Sequence, residues 1–171
     1  EMNRVICERR IEGRFMTFCF ATWRKSTRKL RVSSAGQSQP LLLKGGKSEQ
    51  IKLEGFPFGI YDNVIYDEWS MILDPGDILV FHSDGLSEAF DAEGNLFGVR
   101  RLRTILETRA SLTAGELADE MLAAVMEQQS VLAGRRGSDY TGFYRQAEYV
   151  MAALADEILL HQLDWVGTQA W

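Results

Sequence analysis

Short apolar or alternating runs, separated by turn residues, fill the first half of the chain and limit the folds that it can adopt. The aromatic and apolar run FMTFCFATW at residues 15–23 predicts a buried strand. Further strands are predicted at residues 30–33, 41–43, 51–53, 69–73 and 78–81. Gly, Pro and Asp punctuate the segments between them. Strands at such short spacing predict an antiparallel sheet or sandwich and argue against alternating βαβ units.

Helical patterns replace the strand patterns after Gly98. Residues 99–109 predict one helix, and Thr113 with Glu116 three residues later forms a capping box that opens a second. Residues 146–163 are apolar at 12 of 18 positions, seven of them consecutive, and predict a third helix that is buried on most sides. This order predicts an α+β fold, in which a partial antiparallel β-sandwich is flanked by helices and followed by a C-terminal helical segment.

The composition is that of a globular domain and excludes several other classes of protein. Of the 171 residues, 46% are hydrophobic, yet no apolar run approaches the roughly 18 residues of a membrane span. The chain opens with no signal-peptide pattern. Two cysteines, Cys7 and Cys19, are too few for a disulfide framework or a zinc site, and we interpret them as reduced core thiols. We therefore expect a cytoplasmic protein.

Charge is distributed unevenly along the chain. Residues 1–34 hold nine Lys or Arg against three Asp or Glu, whereas residues 35–98 hold three against eleven. Many of the basic residues gather at 24–29, without an aromatic stacking platform, so we interpret them as a solvated turn rather than a nucleic-acid site. The acidic segment places carboxylates where strands are predicted to end, which is how oxygen-ligand metal sites are built.

The strongest candidate for chemistry is the segment ILVFHSDG at residues 78–85. A buried strand delivers Asp84 at its exposed end, and Gly85 permits a ligand or metal to approach the main chain closely. Glu88 and Asp91 follow within one loop. Mg²⁺ and Mn²⁺ prefer carboxylate, carbonyl and water ligands, so a metal site is one interpretation. A plain Asp-Gly turn is the alternative.

Other polar and aromatic residues have more ordinary interpretations. His82 is expected to be a strand-end side chain rather than a proton shuttle. Glu157 and His161 are four residues apart on the predicted helix and are interpreted as a surface pair rather than metal ligands. The following aromatic side chains are expected to lie in the core rather than around a ligand: Phe15, Phe18, Phe20, Trp69 and Phe81.

Four blocks in this order resemble the SpoIIE/RsbU branch of the PPM-type metal-dependent protein serine/threonine phosphatases: FMTFCFATW, SSAGQSQPLLL, GFPFGI and DPGDILVFHSDGLSEAFDAEGNLFG. The resemblance covers about residues 3–127. It implies hydrolysis of phosphoserine and phosphothreonine by water activated between two Mn²⁺ or Mg²⁺ ions. It also implies that Asp84, followed by Gly85, is a metal ligand.

Two further metal-binding motifs of the resembled family have weak or missing counterparts. The family closes its domain with a paired-Asp motif, for which Asp139 in Ser138-Asp139-Tyr140-Thr141 is the nearest candidate. The family also carries an aspartate motif ahead of the block at residues 15–23, and the sequence has no match to it. The resemblance therefore implies that this chain alone holds an incomplete dinuclear site and is inactive or nearly so.

The tail resembles a different family. The segment YRQAEYVMAALADEILL, followed by LDWVG and Trp171, is similar to the DotU/IcmH family of helical subunits in bacterial type VI and type IV secretion assemblies. The match covers about residues 144–171. The two resemblances imply a truncated phosphatase domain at residues 1–132, then a linker and the start of a DotU-like helical segment at residues 133–171.

Two functional hypotheses follow. The first is a phosphatase whose substrate is a phosphorylated regulatory protein, such as an anti-sigma-factor antagonist or a secretion-system regulator. The second is a non-catalytic interaction module, in which a degenerate phosphatase-like half-domain is joined to a DotU-like segment. Neither hypothesis includes nucleic acid or a membrane span. A partial sheet exposes an apolar face and unpaired strand edges, so we also expect self-association.

Overall fold

The computed structural model describes residues 1–9, 15–136, 151–154 and 157–159. These form two compact units, Glu1–Pro40 with Gln50–Pro75 and Leu41–Glu49 with Gly76–Trp171. The elements in chain order are α1 (Met2–Glu8), β1 (Phe18–Arg24), a 3₁₀ turn (Lys25–Thr27), β2 (Lys29–Ala35), β3 (Leu41–Lys44), β4 (Lys47–Gln50), β5 (Glu68–Ile72), β6 (Ile78–Phe81), α2 (Asp84–Ser87), α3 (Gly98–Thr108), α4 (Ala114–Arg136), β7 (Met151–Leu154) and β8 (Glu157–Leu159). The predicted α+β class is confirmed.

The first unit is built on a three-stranded antiparallel sheet in the order β1-β2-β5. The hairpin β1–β2 turns through the 3₁₀ turn, whose three residues are all exposed. This confirms the predicted hairpin and its solvated basic turn.

The strand expected at residues 51–53 lies four residues earlier, as β4, because Gly45 and Gly46 both adopt positive φ and reverse the chain directly after β3.

The two faces of this sheet differ in exposure. Leu30 and Val32 of β2 are buried, whereas Phe20 of β1 and Ile72 of β5 lie on the opposite face, 56% and 57% exposed. The prediction that the aromatic residues lie in the core is therefore wrong for Phe20, and also for Phe15, which is 61% exposed. A continuous apolar run implies a strand that is covered on both faces, but successive side chains alternate and one face of this sheet is open.

The three remaining aromatic residues of that prediction occupy an intermediate environment. The side chains of Phe18, Trp69 and Phe81 are half-buried. Phe18 stacks on Phe58, with ring centroids 6.0 Å apart and planes inclined by 28°. These side chains pack against other residues without being enclosed, so they form the margin of the core.

Asn3 joins α1 to the loop that precedes β5. Its Nδ2 donates hydrogen bonds to the carbonyl oxygens of Tyr61 (2.7 Å) and Asp62 (3.3 Å), and its Oδ1 accepts one from the amide of Gly59 (3.0 Å). Asn3 is buried, and buried amides need such partners to offset the cost of losing water. Neither α1 nor this contact is predicted by the sequence pattern, because a buried Asn leaves no signal in the hydrophobic periodicity.

Cys7 and Cys19 are free thiols, as predicted. Both are half-buried rather than part of the core. Burial raises the pKa of Cys19 to about 11. Since the thiolate is the reactive form, Cys19 is a poorly reactive thiol at neutral pH.

The second unit contains a five-stranded sheet in the order β4-β3-β6-β7-β8. Pairing is antiparallel between β3 and β6, β6 and β7, and β7 and β8. Strands and helices of this unit share one core, in which the following large side chains are fully buried: Leu41, Ile78, Val80, Leu86, Leu102, Leu106, Leu117, Met121 and Val125. Among the described helices, none is both long enough and apolar enough to cross a membrane.

The predicted capping box opens α4. The amide and hydroxyl of Thr113 both donate to Glu116 Oε2, at 2.9 and 2.8 Å, and the amide of Glu116 donates to Thr113 Oγ1 at 3.3 Å. These bonds satisfy backbone groups that a helix start leaves free. Both helices predicted after Gly98 are confirmed, as α3 and α4.

The C-terminal segment differs from its prediction. Residues 151–154 form β7, which pairs with β6, and residues 157–159 form β8, which pairs with β7, so the helix expected over residues 146–163 is wrong at both stretches. An apolar run of this length fits a buried strand as well as a buried helix, and β6 offers a second edge of backbone groups that need partners. The rest of the predicted helix lies outside the described residues.

The stretch GRRGS at residues 134–138, which belongs to the linker expected after residue 132, is also only partly a linker. Helix α4 continues to Arg136, so the first three residues of that stretch are helical. The domain boundary at residues 132–133 stays a prediction.

Ser48 of β4 is bound to α3 through two charged side chains. The amide and hydroxyl of Ser48 donate to Glu107 Oε1, at 2.8 and 2.6 Å. Arg103 donates from Nε to Ser48 Oγ at 3.0 Å and from Nη2 to the Ser48 carbonyl. Bonds from Ser48 lower the pKa of Glu107, and the nearby Arg103 acts in the same direction.

The stability of the chain is expected to decrease in acid partly through Glu107. Its pKa is lower in the folded chain than the ordinary value of 4.5, so its contribution is present above that value and is lost as the pH falls through the folded pKa. Glu107→Gln should therefore lower the unfolding free energy at neutral pH but flatten its decrease in acid. Urea titrations at neutral pH and at acidic pH check this expectation, with Glu49→Gln as an exposed control. Parallel pH profiles for wild type and Glu107→Gln would contradict it.

Candidate metal-binding site

Strand β6 delivers Asp84 to the surface. β6 lies between β3 and β7, and its first three side chains are buried. Ser83 follows in an extended conformation as the N-cap of α2, and Asp84 is the first residue of that helix. The side chain of Asp84 is exposed. A rigid buried strand therefore ends in a carboxylate that faces solvent, as the sequence pattern predicted.

The single turn of α2 fixes the backbone of Asp84. Its carbonyl oxygen accepts hydrogen bonds from the amide of Glu88 (2.7 Å) and the hydroxyl of Ser87 (3.2 Å). Leu86 anchors the turn from inside, because its side chain is fully buried in the core of the second unit. Gly85 is half-buried at the second position of α2. The Asp-Gly pair therefore opens a helical turn rather than a plain β-turn.

The carboxylate of Asp91 has a structural role in the loop that follows α2. Its Oδ1 accepts hydrogen bonds from the amides of Glu93 (2.9 Å) and Asn95 (2.8 Å), and its Oδ2 accepts one from Asn95 Nδ2 (3.0 Å). The bonds from Asn95 are the main reason why the pKa of Asp91 is lowered. This carboxylate closes the loop that follows α2, because both of its oxygens accept hydrogen bonds from residues of that loop.

His82 lies between the strand and Asp84. It is 5% exposed, and its Nδ1 is 2.9 Å from the carbonyl oxygen of Ser83. A buried imidazole at the end of a strand agrees with the prediction of a structural side chain. Neither its burial nor this contact indicates a proton shuttle.

The described residues supply one candidate ligand rather than a complete metal centre. Within the described ranges, no group of three or more His, Cys, Asp or Glu side chains is placed to hold a metal ion. Asp139 and His161 lie outside the described residues, so their predicted roles remain predictions. Asp84 alone, with Gly85 beside it, does not fit a dinuclear site that needs several carboxylates.

The fold is similar to that of several solved structures, which include a phosphatase domain. PppA, a key regulatory component of the type VI secretion system in Pseudomonas aeruginosa, is 16% identical with a TM-score of 0.58, over 75% of this chain and 60% of that one. The phosphatase domain of the cell fate determinant SpoIIE from Bacillus subtilis is 16% identical with a TM-score of 0.56, over 96% and 75%. This chain thus spans about three fifths of the solved PppA chain.

A third similar structure contains the RsbU and RsbW domains of a Mycobacterium tuberculosis protein. It is 19% identical with a TM-score of 0.56, and the match covers 73% of this chain and 34% of that one.

A search among curated proteins gives no match. The sequence profile of the family described as stage II sporulation protein E (SpoIIE) matches residues 1–141, which is more than half of the chain. The chain therefore belongs to the SpoIIE family of phosphatase-like domains.

Proposed function

We propose that this protein is a metal-dependent phosphatase that hydrolyses phosphoserine or phosphothreonine in a regulatory protein, with Asp84 as one ligand of Mn²⁺ or Mg²⁺. The observation that carries the proposal is the exposed Asp84 carboxylate at the end of the buried strand β6. In such a site the metal supplies an activated water. The contribution of this chain is to orient Asp84, through Leu86 inside the core and through the bonds to the Asp84 carbonyl.

The described residues do not complete that site. Within the described ranges, no group of three or more candidate ligands includes Asp84, and Asp91 is held in its own loop. We therefore propose that this chain by itself is inactive or nearly so, and that its activity requires ligands from residues other than those described.

The substrate and setting belong to the same proposal. RsbU and PppA, which share the fold, support a signalling role, and we propose that the substrate is an anti-sigma-factor antagonist or a regulator of secretion. A DotU-like tail would add a link to secretion assemblies. That resemblance has support from sequence alone, because residues 151–154 and 157–159 are strands whereas DotU-like segments are helical. The cytoplasmic location and self-association through the open sheet stay predictions.

A second candidate function is an interaction module without catalysis. The observation that favours it is the absence of a three-ligand group within the described ranges. In this hypothesis the phosphatase-like fold is retained as a docking scaffold, and Asp84 is an ordinary exposed residue. The two hypotheses differ in one measurable property, metal binding that depends on Asp84.

Mn²⁺ titration by calorimetry tests the proposal. We expect the purified chain to bind Mn²⁺, and we expect Asp84→Asn to weaken that binding by about tenfold or more because an amide oxygen is a much poorer ligand for a hard cation than a carboxylate. The substitution keeps the size of the side chain, so the fold should be retained.

The matched control is Asp119→Asn, which removes an exposed carboxylate from α4. It should leave the Mn²⁺ titration unchanged. Equal binding by wild type and Asp84→Asn, or no binding by either protein, would contradict a metal role for Asp84 in this chain and favour the interaction module.

A further inference from the structure

A basic groove lies on the first unit, away from Asp84 in sequence. It has a volume of about 540 Å³ and is lined by Thr22, Trp23, Arg24, Lys29, Arg31 and Glu68. These residues come from all three strands of the sheet β1-β2-β5. We call this set the basic groove.

The register of β1 and β2 brings the cations of the basic groove together. Arg24 of β1 is directly opposite Lys29 of β2, and Thr22 is opposite Arg31, so these four side chains lie on one face of the sheet. All four are exposed. Like charges directly opposite each other across a strand pair destabilise the sheet. The Arg24–Lys29 pair therefore holds two positive charges side by side at a cost to the fold.

The groove keeps an excess of positive charge. Glu68 pairs with Arg31, and this bond is the main reason why the pKa of Glu68 is lowered, with a smaller contribution from Lys29. The neighbouring Arg28 is paired with Asp74 at 3.4 Å. Within the described part of the chain, Arg24 has no carboxylate partner. The groove therefore holds three cations, Arg24, Lys29 and Arg31, but only one carboxylate, that of Glu68.

We propose that the basic groove binds an acidic segment of a partner protein. Arginine and lysine recognise carboxylates through charge-assisted hydrogen bonds, and an excess of about two positive charges suits one or two carboxylates of a short peptide. The inference goes beyond the proposed phosphatase activity and does not depend on it, because none of the groove residues is part of the candidate metal site.

The groove fits a peptide better than a nucleic acid. A protein that binds duplex DNA typically makes about six to ten phosphate contacts, far more than three cations can provide. Of the two aromatic rings on that face of the sheet, Phe18 is stacked on Phe58 and Phe20 is exposed, so a single free ring is present rather than the row of rings on which successive bases stack.

Fluorescence anisotropy with a labelled peptide of alternating Glu and Asp tests the proposal on the full chain. We expect binding at low salt that weakens as salt screens the charges. The double variant Arg24→Glu/Lys29→Glu should bind about tenfold more weakly or worse, since it reverses two of the three cations. Because glutamate replaces both cations, residues 24 and 29 still carry like charges opposite each other, and the repulsion between β1 and β2 is preserved. Arg24→Gln/Lys29→Gln gives a neutral second variant if the reversal prevents folding.

The matched control reverses two exposed lysines outside the groove, as Lys47→Glu/Lys52→Glu, with the same change in net charge. It should retain nearly all of the binding. The proposal is overturned if wild type does not bind the peptide. It is overturned as well if Arg24→Glu/Lys29→Glu binds the peptide as tightly as the control Lys47→Glu/Lys52→Glu. It is also overturned if an oligonucleotide binds more tightly than the peptide, or if sedimentation shows that the groove variants abolish association between copies of this chain.

Discussion

Replacing Leu86 with alanine is expected to lower the unfolding free energy by about 2–5 kcal/mol, which is the range for truncating a fully buried leucine. The side chain is completely buried in the core of the second unit, with Leu102 and Leu106 of α3 in the same cluster. Truncation removes apolar contacts and leaves a cavity. Since domains are stable by only about 5–15 kcal/mol, this is a large fraction of the total. Urea denaturation followed by circular dichroism measures it.

The control is Leu96→Ala, in the loop after α2, where the side chain is 53% exposed. That change should cost less than about 0.5 kcal/mol, as is usual for surface positions. The result links stability to the candidate site, because Leu86 anchors the helical turn that begins with Asp84. A loss below about 1 kcal/mol for Leu86→Ala would mean that the turn is not anchored as described.

Gly36→Ala is expected to have the second large effect, about 2–4 kcal/mol, from backbone strain and overpacking together. Gly36 has φ of +72°, which a residue with a Cβ adopts at a cost. A Cβ at this position would lie 2.4 Å from Cγ of Pro57, and the proline ring cannot swing aside. The amide of Gly36 also donates to the carbonyl of Gly55 at 2.8 Å, so the two loops are already tied together.

Gly46→Ala separates the two causes. Gly46 has a similar φ of +78°, but a Cβ there would meet no atom within 4 Å. It should therefore cost only the backbone strain, about 1 kcal/mol. Thermal and urea melts of both variants measure the difference, which reports the contact with Pro57. Equal losses for the two variants would show that the loops adjust freely.

Features with local signals could be predicted from the sequence. The capping box at Thr113 and Glu116 needs only two side chains three residues apart, and it forms as expected. Likewise, strand β6 is apolar at every position and runs directly to Asp84, so its burial and the exposed carboxylate at its end follow from the pattern itself.

In contrast, the sequence could not predict which acidic residues near Asp84 are available as metal ligands. Glu88 and Asp91 are close to Asp84 in sequence, and proximity suggested a group of ligands. The structure commits Asp91 to the backbone amides of its own loop, which is decided by the conformation of residues 91–95 and not by residue type. Conversely, Asn3 and the Ser48–Glu107 contact join residues more than 50 positions apart, and such pairs leave no mark in a single sequence.

By itself, the sequence determined the class of fold, five of the six strands from β1 to β6, and the delivery of Asp84 at the end of a buried strand, whereas β4 lies at Lys47–Gln50 instead of residues 51–53. Tertiary structure decided the C-terminal segment, where an apolar run suited to a helix becomes β7 and β8 because the free edge of β6 offers backbone partners. It also decided which aromatic residues are covered, since Phe20 lies on the open face of its sheet. Local patterns record what each residue prefers, whereas burial and pairing depend on which surfaces the folded chain brings together.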